Sequence, residues 1–179
     1  MSISIKENPT TFVDLCCGIG SFTRSFERHG FESVLACDVC PVVRRNYQAL
    51  YPGHRVEGDI HKIDFETVPR HDIVCCGFPC QPFSQQGKGK GLQDSRASVI
   101  DRLYEWIERF KPKVVVFENV PGLARHDGGK TLKGILDRLE SAGYCSVYKI
   151  LKASEFGLPQ MRRRVFIILW KKDVETRNI

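Results

Sequence analysis

Thr11-Phe12-Val13-Asp14-Leu15-Cys16-Cys17-Gly18-Ile19-Gly20-Ser21-Phe22 reads as a strand that ends in a glycine turn. Thr11 to Cys17 is short and apolar, as a buried strand is, and Gly18-Ile19-Gly20 supplies the residues that tolerate a tight turn. Thr23 to His29 then reads as a helix, with Phe22 and Phe26 marking one apolar face and Gly30 standing where a C-cap belongs. Strand, glycine turn and helix open a βαβ unit of the Rossmann type. A dinucleotide fingerprint requires a third glycine where this chain has Thr23, so a pyrophosphate ligand is disfavoured. An adenosine-containing ligand without a pyrophosphate suits the pattern better.

Working outward, Glu32 to Cys37 is a second strand with Asp38 at its end, about 20 residues past the first turn glycine, the spacing of a ribose-binding acid. Pro41 opens a helix that carries Val42, Val43, Tyr47 and Leu50. His54 to Ile60 is expected to be a third strand containing Asp59, and Asp72 to Cys76 a fourth. A helix is expected from near Ser95 through Phe110, on the stripe of Ile100, Leu103, Trp106, Ile107 and Phe110. Lys113-Val114-Val115-Val116-Phe117-Glu118 lacks alternation, which predicts a strand buried on both faces. Thr131 is expected to cap a helix closed by Gly143, and two last strands follow at Tyr144 to Leu151 and Arg164 to Trp170. The fold class is therefore α/β: a mostly parallel sheet with helices on both faces and a C-terminal antiparallel strand. Asp38, Asp59, Glu118, the turn after Asp14 and the residues following Cys76 all fall at strand ends, where ligands bind in such sheets.

The 179 residues are enough for one domain with its own core. No apolar run approaches the roughly 20 residues of a membrane span, and the N-terminus lacks a signal-peptide layout, so a cytoplasmic protein is expected, nucleoid-associated if bacterial. Net charge +6 is compatible with a polyanionic partner without establishing one. Eight cysteines in a chain of this size do not call for a disulfide framework. Cys37-x-x-Cys40 has no matching second pair, and Cys16-Cys17 and Cys75-Cys76 are poorly spaced for zinc, so no metal is expected. Most of these thiols lie in apolar runs and read as packing groups.

Cys80 differs from the rest. It leaves a buried strand between Pro79 and Pro82, each of which stiffens its surroundings. The polar, glycine-rich and basic loop through Gly91 follows it. This is the setting of a held nucleophile under a loop. Glu118, directly after four apolar residues, is either an exposed strand-end carboxylate or an acid at the mouth of the core whose desolvation favours the protonated form. Arg162, Arg163 and Arg164 are either a solvated face or, by strand alternation, two arginines on one side and one on the other. The Gly18–Gly20 turn with Asp38 fits S-adenosylmethionine as the adenosine ligand.

Taken together, Asp14-Leu15-Cys16-Cys17-Gly18-Ile19-Gly20-Ser21-Phe22, Gly77-Phe78-Pro79-Cys80-Gln81, Glu118-Asn119-Val120 and Gln160-Met161-Arg162-Arg163-Arg164 closely resemble the DNA cytosine C5-methyltransferases in content, order and spacing, from Phe12 to Asp173. The resemblance implies a Rossmann-like S-adenosylmethionine-dependent methyltransferase fold. It implies methyl transfer to C5 of a flipped-out cytosine in DNA, leaving S-adenosylhomocysteine. Cys80 would attack C6, Glu118 would contact N3 and the exocyclic amine, and Arg162 and Arg164 would position the base and the loop. Ser84 to Arg96 would close over the base, with Gln81, Ser84, Gln86, Lys88, Lys90 and Arg96 on the DNA side. The cofactor set is Asp14, Cys16, Gly18, Gly20 and Phe22 toward the methionine end, Asp38 and Val39 at the ribose, Asp59 and Ile60 at the adenine, and Phe78 and Pro79 beside it.

Two residues depart from the family's pattern: Cys16 and Val39 stand where aromatics are usual, which thins the stacking around adenosine. A variable target-recognition region and two further motifs have no counterpart here. The expectation is a single catalytic and cofactor-binding domain over residues 1–179, needing a second polypeptide for sequence recognition, or else a truncated form or a residual domain. The alternatives carried forward are a non-catalytic or regulatory module of the same fold and a tRNA cytosine C5-methyltransferase.

Overall fold

The computed structural model describes residues 9–79 and 98–174. The β1 strand (Thr11–Leu15) runs into the glycine turn and α1 (Ser21–Glu27), then β2 (Glu32–Cys37), α2 (Pro41–Leu50), β3 (Val56–Glu57) and β4 (Ile73–Cys76). The second half is α3 (Ser98–Phe110), β5 (Val114–Asn119), the one-turn α4 (Gly122–Arg125), α5 (Lys130–Ser141), β6 (Tyr144–Lys152) and β7 (Arg163–Lys171). These strands form a sheet of order β3-β2-β1-β4-β5-β7-β6. The first five strands are parallel, and β7 alone runs against its neighbours β5 and β6.

Each face of β1 has its own covering. Val13 and Leu15 join a core with Leu35, Val74, Val115, Leu103 and Trp106, on the side of α3 and α5. Phe12 and Asp14 face α1 and α2, where Phe12, Ile73 and Cys75 pack with Phe22, Phe26 and Phe31. Trp106 is fully buried and its indole Nε1–H donates to His71 Nε2 at 3.0 Å, while His71 Nδ1 donates to the Pro69 carbonyl at 2.9 Å. That pairing fixes the neutral imidazole, and burial pushes the His71 pKa down.

Most expected elements are present, and the differences have local causes. The third strand pairs over only Val56–Glu57, because Asp59 turns the chain by accepting from the His61 amide and starting a 3₁₀ turn at Ile60. Along β5, buried residues alternate with half-buried ones, so one face is fully covered and the other only partly. Val114 and Val116 are on the thinner side, against the short α1 cluster. Thr131 does not cap α5: left-handed Gly129 precedes the helix, and the Thr131 hydroxyl pairs with His126 Nδ1 at 2.7 Å. Pro41 does open α2 at its first turn, and Gly143 follows α5 with a positive φ.

Candidate functional site

The turn after β1 has a demanding backbone, with positive φ at Cys16, Gly18 and Gly20. It is pinned from two sides. The Gly18 amide donates to Asp38 Oδ2 at 3.1 Å, and the Cys40 amide donates to Asp38 Oδ1 at 2.9 Å. From α2, the Tyr51 hydroxyl donates to the Gly20 carbonyl at 3.0 Å. A methyl group on Gly20 would meet the Tyr51 ring at 2.5 Å and the Tyr47 ring at 2.9 Å, so glycine is required there by close approach as well as by φ.

Two cavities open at this end of the sheet. The first, about 550 Å³, lies off the ends of β2 and β3 and is lined by Asp38, Val39, Asp59, Ile60, Phe78 and Pro79, among others. The second, about 660 Å³, lies between the start of α1 and the β6–β7 hairpin, with Phe22, Leu151, Phe156, Leu158 and Phe166 in its wall. Cys16, Gly77, Glu118, Arg162 and Arg164 belong to both. One wall thus serves two adjoining spaces, an arrangement suited to bringing two ligands edge to edge. A third cavity, of about 580 Å³, is bounded by Ile107, Tyr144 and Lys172 near the opposite end of the sheet.

Sheet register explains the shared wall. Glu118 of β5 lies opposite Phe166 of β7, and Arg164 is two residues from Phe166 on the same face. Arg164 Nε reaches Glu118 Oε1 at 2.7 Å, and an Arg162 guanidinium nitrogen lies 3.9 Å from the same oxygen. The alternation expected of the arginine run is therefore realised at Glu118. The acid is half-buried and faces both arginines. Beside it, buried Asn119 donates from Nδ2 to the Phe78 carbonyl at 3.2 Å and accepts from the Val120 amide. This ties the end of β5 to the chain two residues before Cys80.

Of the expected cofactor residues, Cys16, Asp38, Val39, Asp59, Ile60, Phe78 and Pro79 line the first cavity and Phe22 the second. Gly18 and Gly20 shape the turn without appearing in either wall, and Asp14 is fully buried behind it. Cys80, Gln81, Ser84, Gln86, Lys88, Lys90 and Arg96 lie outside the described residues. Sequence reading gave no role of their own to Gly77 and Asn119, or to the apolar Leu151, Phe156 and Leu158. The Glu-Asn-Val motif contained the signal for Asn119, whereas the hairpin residues carry no chemistry that would mark them.

Electrostatics separate the polar groups here. Burial pushes the Asp14 carboxyl up to about 7, against hydrogen bonds from Thr23 that favour its charged form. Burial likewise pushes up the thiols of Cys17, Cys37, Cys75 and Cys76, which makes them packing groups rather than nucleophiles. Among the described residues, no three His, Cys, Asp or Glu side chains converge as a metal cage would, and no helix is long and apolar enough to cross a membrane.

A parallel sheet with a glycine turn, an acid at the end of β2 and an antiparallel strand beside β5 defines the Rossmann-like fold of the S-adenosylmethionine-dependent methyltransferases. Within that class, the chain belongs to the C-5 cytosine-specific DNA methylase family, whose sequence model matches residues 10–179. It is 37% identical over 179 residues to the type II methyltransferase M.HhaI of Haemophilus parahaemolyticus, covering 98% of this chain and 54% of the relative. It is 41% identical over 158 residues to M.MspI of Moraxella sp., covering 88% of this chain and 38% of the relative. Its fold resembles that of the Entamoeba histolytica methyltransferase EhMeth, with a TM-score of 0.80 at 20% identity over 96% of this chain and 56% of that one. The chain spans about half the length of the curated relatives it matches.

Proposed function

We propose that this chain is the catalytic and cofactor-binding part of a DNA cytosine C5-methyltransferase, acting with a second polypeptide that recognises the target sequence. The observation that carries this reading is the wall of Cys16, Gly77, Glu118, Arg162 and Arg164 shared by the two cavities. The first cavity suits a nucleoside. Asp38 and Asp59 offer carboxylates to hydroxyl and amine donors, while Val39, Ile60 and Phe78 offer apolar flanks to a purine. S-adenosylmethionine, when bound, supplies an electrophilic methyl group.

The second cavity would receive the cytosine, with Phe22 in its wall beside the methionine end of the cofactor. Carbon C5 is a poor nucleophile until a thiolate adds at C6 and makes the ring enamine-like, and Cys80 is the residue assigned that addition. Glu118 would hold N3 and the exocyclic amine and protonate the ring as it becomes electron-rich, with Arg164 orienting the carboxylate and Arg162 reaching the ring carbonyl. A base then takes the C5 proton, the C5–C6 double bond reforms as the C6–S bond breaks to release the Cys80 thiolate, and the ring proton returns to Glu118. The base has to leave the duplex for this chemistry, and Gln81, Ser84, Gln86, Lys88, Lys90 and Arg96 are the residues assigned to the DNA.

Methyl transfer from labelled S-adenosylmethionine to DNA, with and without candidate partner chains, tests the reading. DNA containing 5-fluorocytosine should trap Cys80 covalently. Failure of both transfer and trapping in every combination refutes it, and RNA competing more strongly than DNA would shift the substrate to RNA.

A further inference from the structure

A line of polar side chains runs from the buried end of β1 to the surface on the face covered by α1 and α2. Thr23 donates to Asp14 Oδ2 twice, from its amide at 3.1 Å and from its hydroxyl at 2.8 Å. The Thr23 hydroxyl is 2.8 Å from the Tyr47 hydroxyl, which lies 3.3 Å from His54 Nδ1. His54 Nε2 in turn faces Glu27 Oε1 at 3.1 Å. Asp14, Thr23 and Tyr47 are each fully buried, so the carboxyl has no direct path to water. Asp14 Oδ1 has no hydrogen-bond partner, leaving Oδ2 as the end of the line.

A chain of hydroxyls has a direction. With Asp14 ionised, the Thr23 hydroxyl donates to the carboxylate, Tyr47 donates to Thr23, and His54 Nδ1–H donates to Tyr47. His54 Nε2–H must still meet the Glu27 carboxylate, so the imidazole carries two protons. The reversed chain also satisfies every link. Protonated Asp14 donates to Thr23, Thr23 to Tyr47, and Tyr47 to a bare Nδ1, while the single imidazole proton stays on Nε2 against Glu27. The two arrangements contain the same atoms and the same number of protons, so their ratio does not depend on pH; raising the pH removes the shared proton and leaves Asp14 ionised.

We propose that Asp14 and His54 share one proton through Thr23 and Tyr47, and that its position sets how firmly the first turn of α1, with Phe22, is held beside the second cavity. Ionised Asp14 accepts both Thr23 hydrogen bonds, whereas the protonated carboxyl accepts only the one from the amide and donates to the hydroxyl, so the carboxylate holds Thr23 more strongly. Thr23 directly follows Phe22, which lines that cavity, so the ionised state of Asp14 is the tighter one for the wall. Asp14, Thr23, Tyr47 and His54 are positioning residues in this scheme, since they act on the wall and not on a ligand. The part concerning cofactor affinity rests on the reading of the cavities given above.

The groups facing both ends leave the pair as the groups that exchange charge. Around Asp14 stand Cys75 across the β1–β4 pairing, Cys17 after β1, Asp38 after β2 and Tyr47 on α2. The thiols and the phenol are pushed up by burial and stay neutral, and the charge of Asp38 adds to the upward push on Asp14. Around His54 stand Glu27 on α1, Tyr47, and Tyr51, whose ring stacks on the imidazole with centroids 5.4 Å apart. Arg24 of α1 also bears on Tyr51.

The test is a nitrogen-15 NMR titration of the histidine ring between pH 5 and 9. It uses the wild type, Asp14→Asn, Tyr47→Phe and the half-buried variant His54→Gln, in parallel with calorimetric S-adenosylhomocysteine binding. The expected result is that the His54 midpoint moves by at least half a pH unit in Asp14→Asn and Tyr47→Phe, and that the midpoint sensed by the Thr23 amide resonance moves in His54→Gln. Affinity for S-adenosylhomocysteine should rise several-fold from pH 6 to pH 8 in the wild type and be flat in Asp14→Asn. A His54 titration unchanged by both buried substitutions, with a Thr23 amide unchanged by His54→Gln, overturns the shared proton. A pH-independent affinity in the wild type overturns its effect on the wall. Absence of binding at every pH refutes the cofactor reading itself, while the NMR result still decides the proton.

Discussion

Replacing Asp14 with asparagine should make the fold more stable at pH 8 and leave it no more stable at pH 5. The carboxyl has an ordinary value of 3.8 and sits at about 7 in the fold, a rise of about 3 pH units produced first by burial. Each unit corresponds to about 1.4 kcal/mol, so about 4 kcal/mol is the ceiling on the effect. The sign is opposite to that of an ion-paired carboxylate. Between pH 4 and pH 7 the folded state keeps a proton that the unfolded state has released, so stability falls as pH rises across that window and is level above it. Asparagine resembles the protonated carboxyl and removes this cost. Its amide group would occupy the place of the unpartnered Oδ1, and an unmet donor there costs about 1–3 kcal/mol. The net gain at pH 8 is therefore about 2 kcal/mol, or roughly 4–8 °C in melting temperature for a chain of this size. Urea melts of both proteins at pH 5, 6, 7 and 8 give the difference free of contributions from other titrating groups. A wild-type-minus-variant difference that does not change with pH refutes the reasoning.

Other perturbations test different parts of the molecule. Gly20→Ala combines a positive φ with a methyl 2.5 Å from the Tyr51 ring, and should cost about 2–4 kcal/mol in urea melts; a cost under about 0.5 kcal/mol would refute the close approach. Glu118→Gln keeps the shape but removes the charge facing Arg164, and should lower methyl transfer by about 10²–10⁴-fold while moving stability by less than about 1 kcal/mol, since the pair is partly solvated. His71 has a lowered pKa in the fold, so on acidification the unfolded state binds the proton first and stability falls below about pH 6.5. His71→Gln should flatten that acid limb of the stability profile.

How far the sequence discloses the site depends on whether a role follows from local pattern or from a neighbouring element. The place of Asp38 was legible because a strand ending and a glycine turn fix it, but the sequence did not show that its carboxylate would hold the Gly18 and Cys40 amides. Arg162 and Arg164 were legible because residues two apart share a sheet face, and both meet Glu118. Thr23 was read only as a missing glycine, because nothing nearby in sequence shows that Asp14 and Tyr47 converge on it. The third strand was overextended because apolar Val56 and Ile60 gave no sign that Asp59 would bond the His61 amide instead of continuing the ladder. Thr131 looked like a cap, but the left-handed Gly128-Gly129 pair already sets the entry to α5, and the hydroxyl found His126.

The two oxygens of Glu118 divide the work at the shared wall. Oε1 is engaged by Arg164 and faces Arg162, so strand β7 determines the rotation of the carboxylate. Oε2 is turned toward Gly77, lying 3.7 Å from where a methyl on that residue would stand. A side chain at Gly77 would therefore fit without collision yet occupy the space in front of the oxygen left for a ligand. In the proposed reaction glycine there keeps Oε2 accessible, whereas at Gly20 it is needed for packing. Asn119 completes the arrangement by holding the Phe78 carbonyl, so the strand that presents the acid also fixes the segment leading to Cys80. In the proposed reaction, acid and thiol must meet the same ring from fixed directions. Here the acid is fixed relative to Phe78, two residues before Cys80, by a hydrogen bond between β5 and the segment leaving β4.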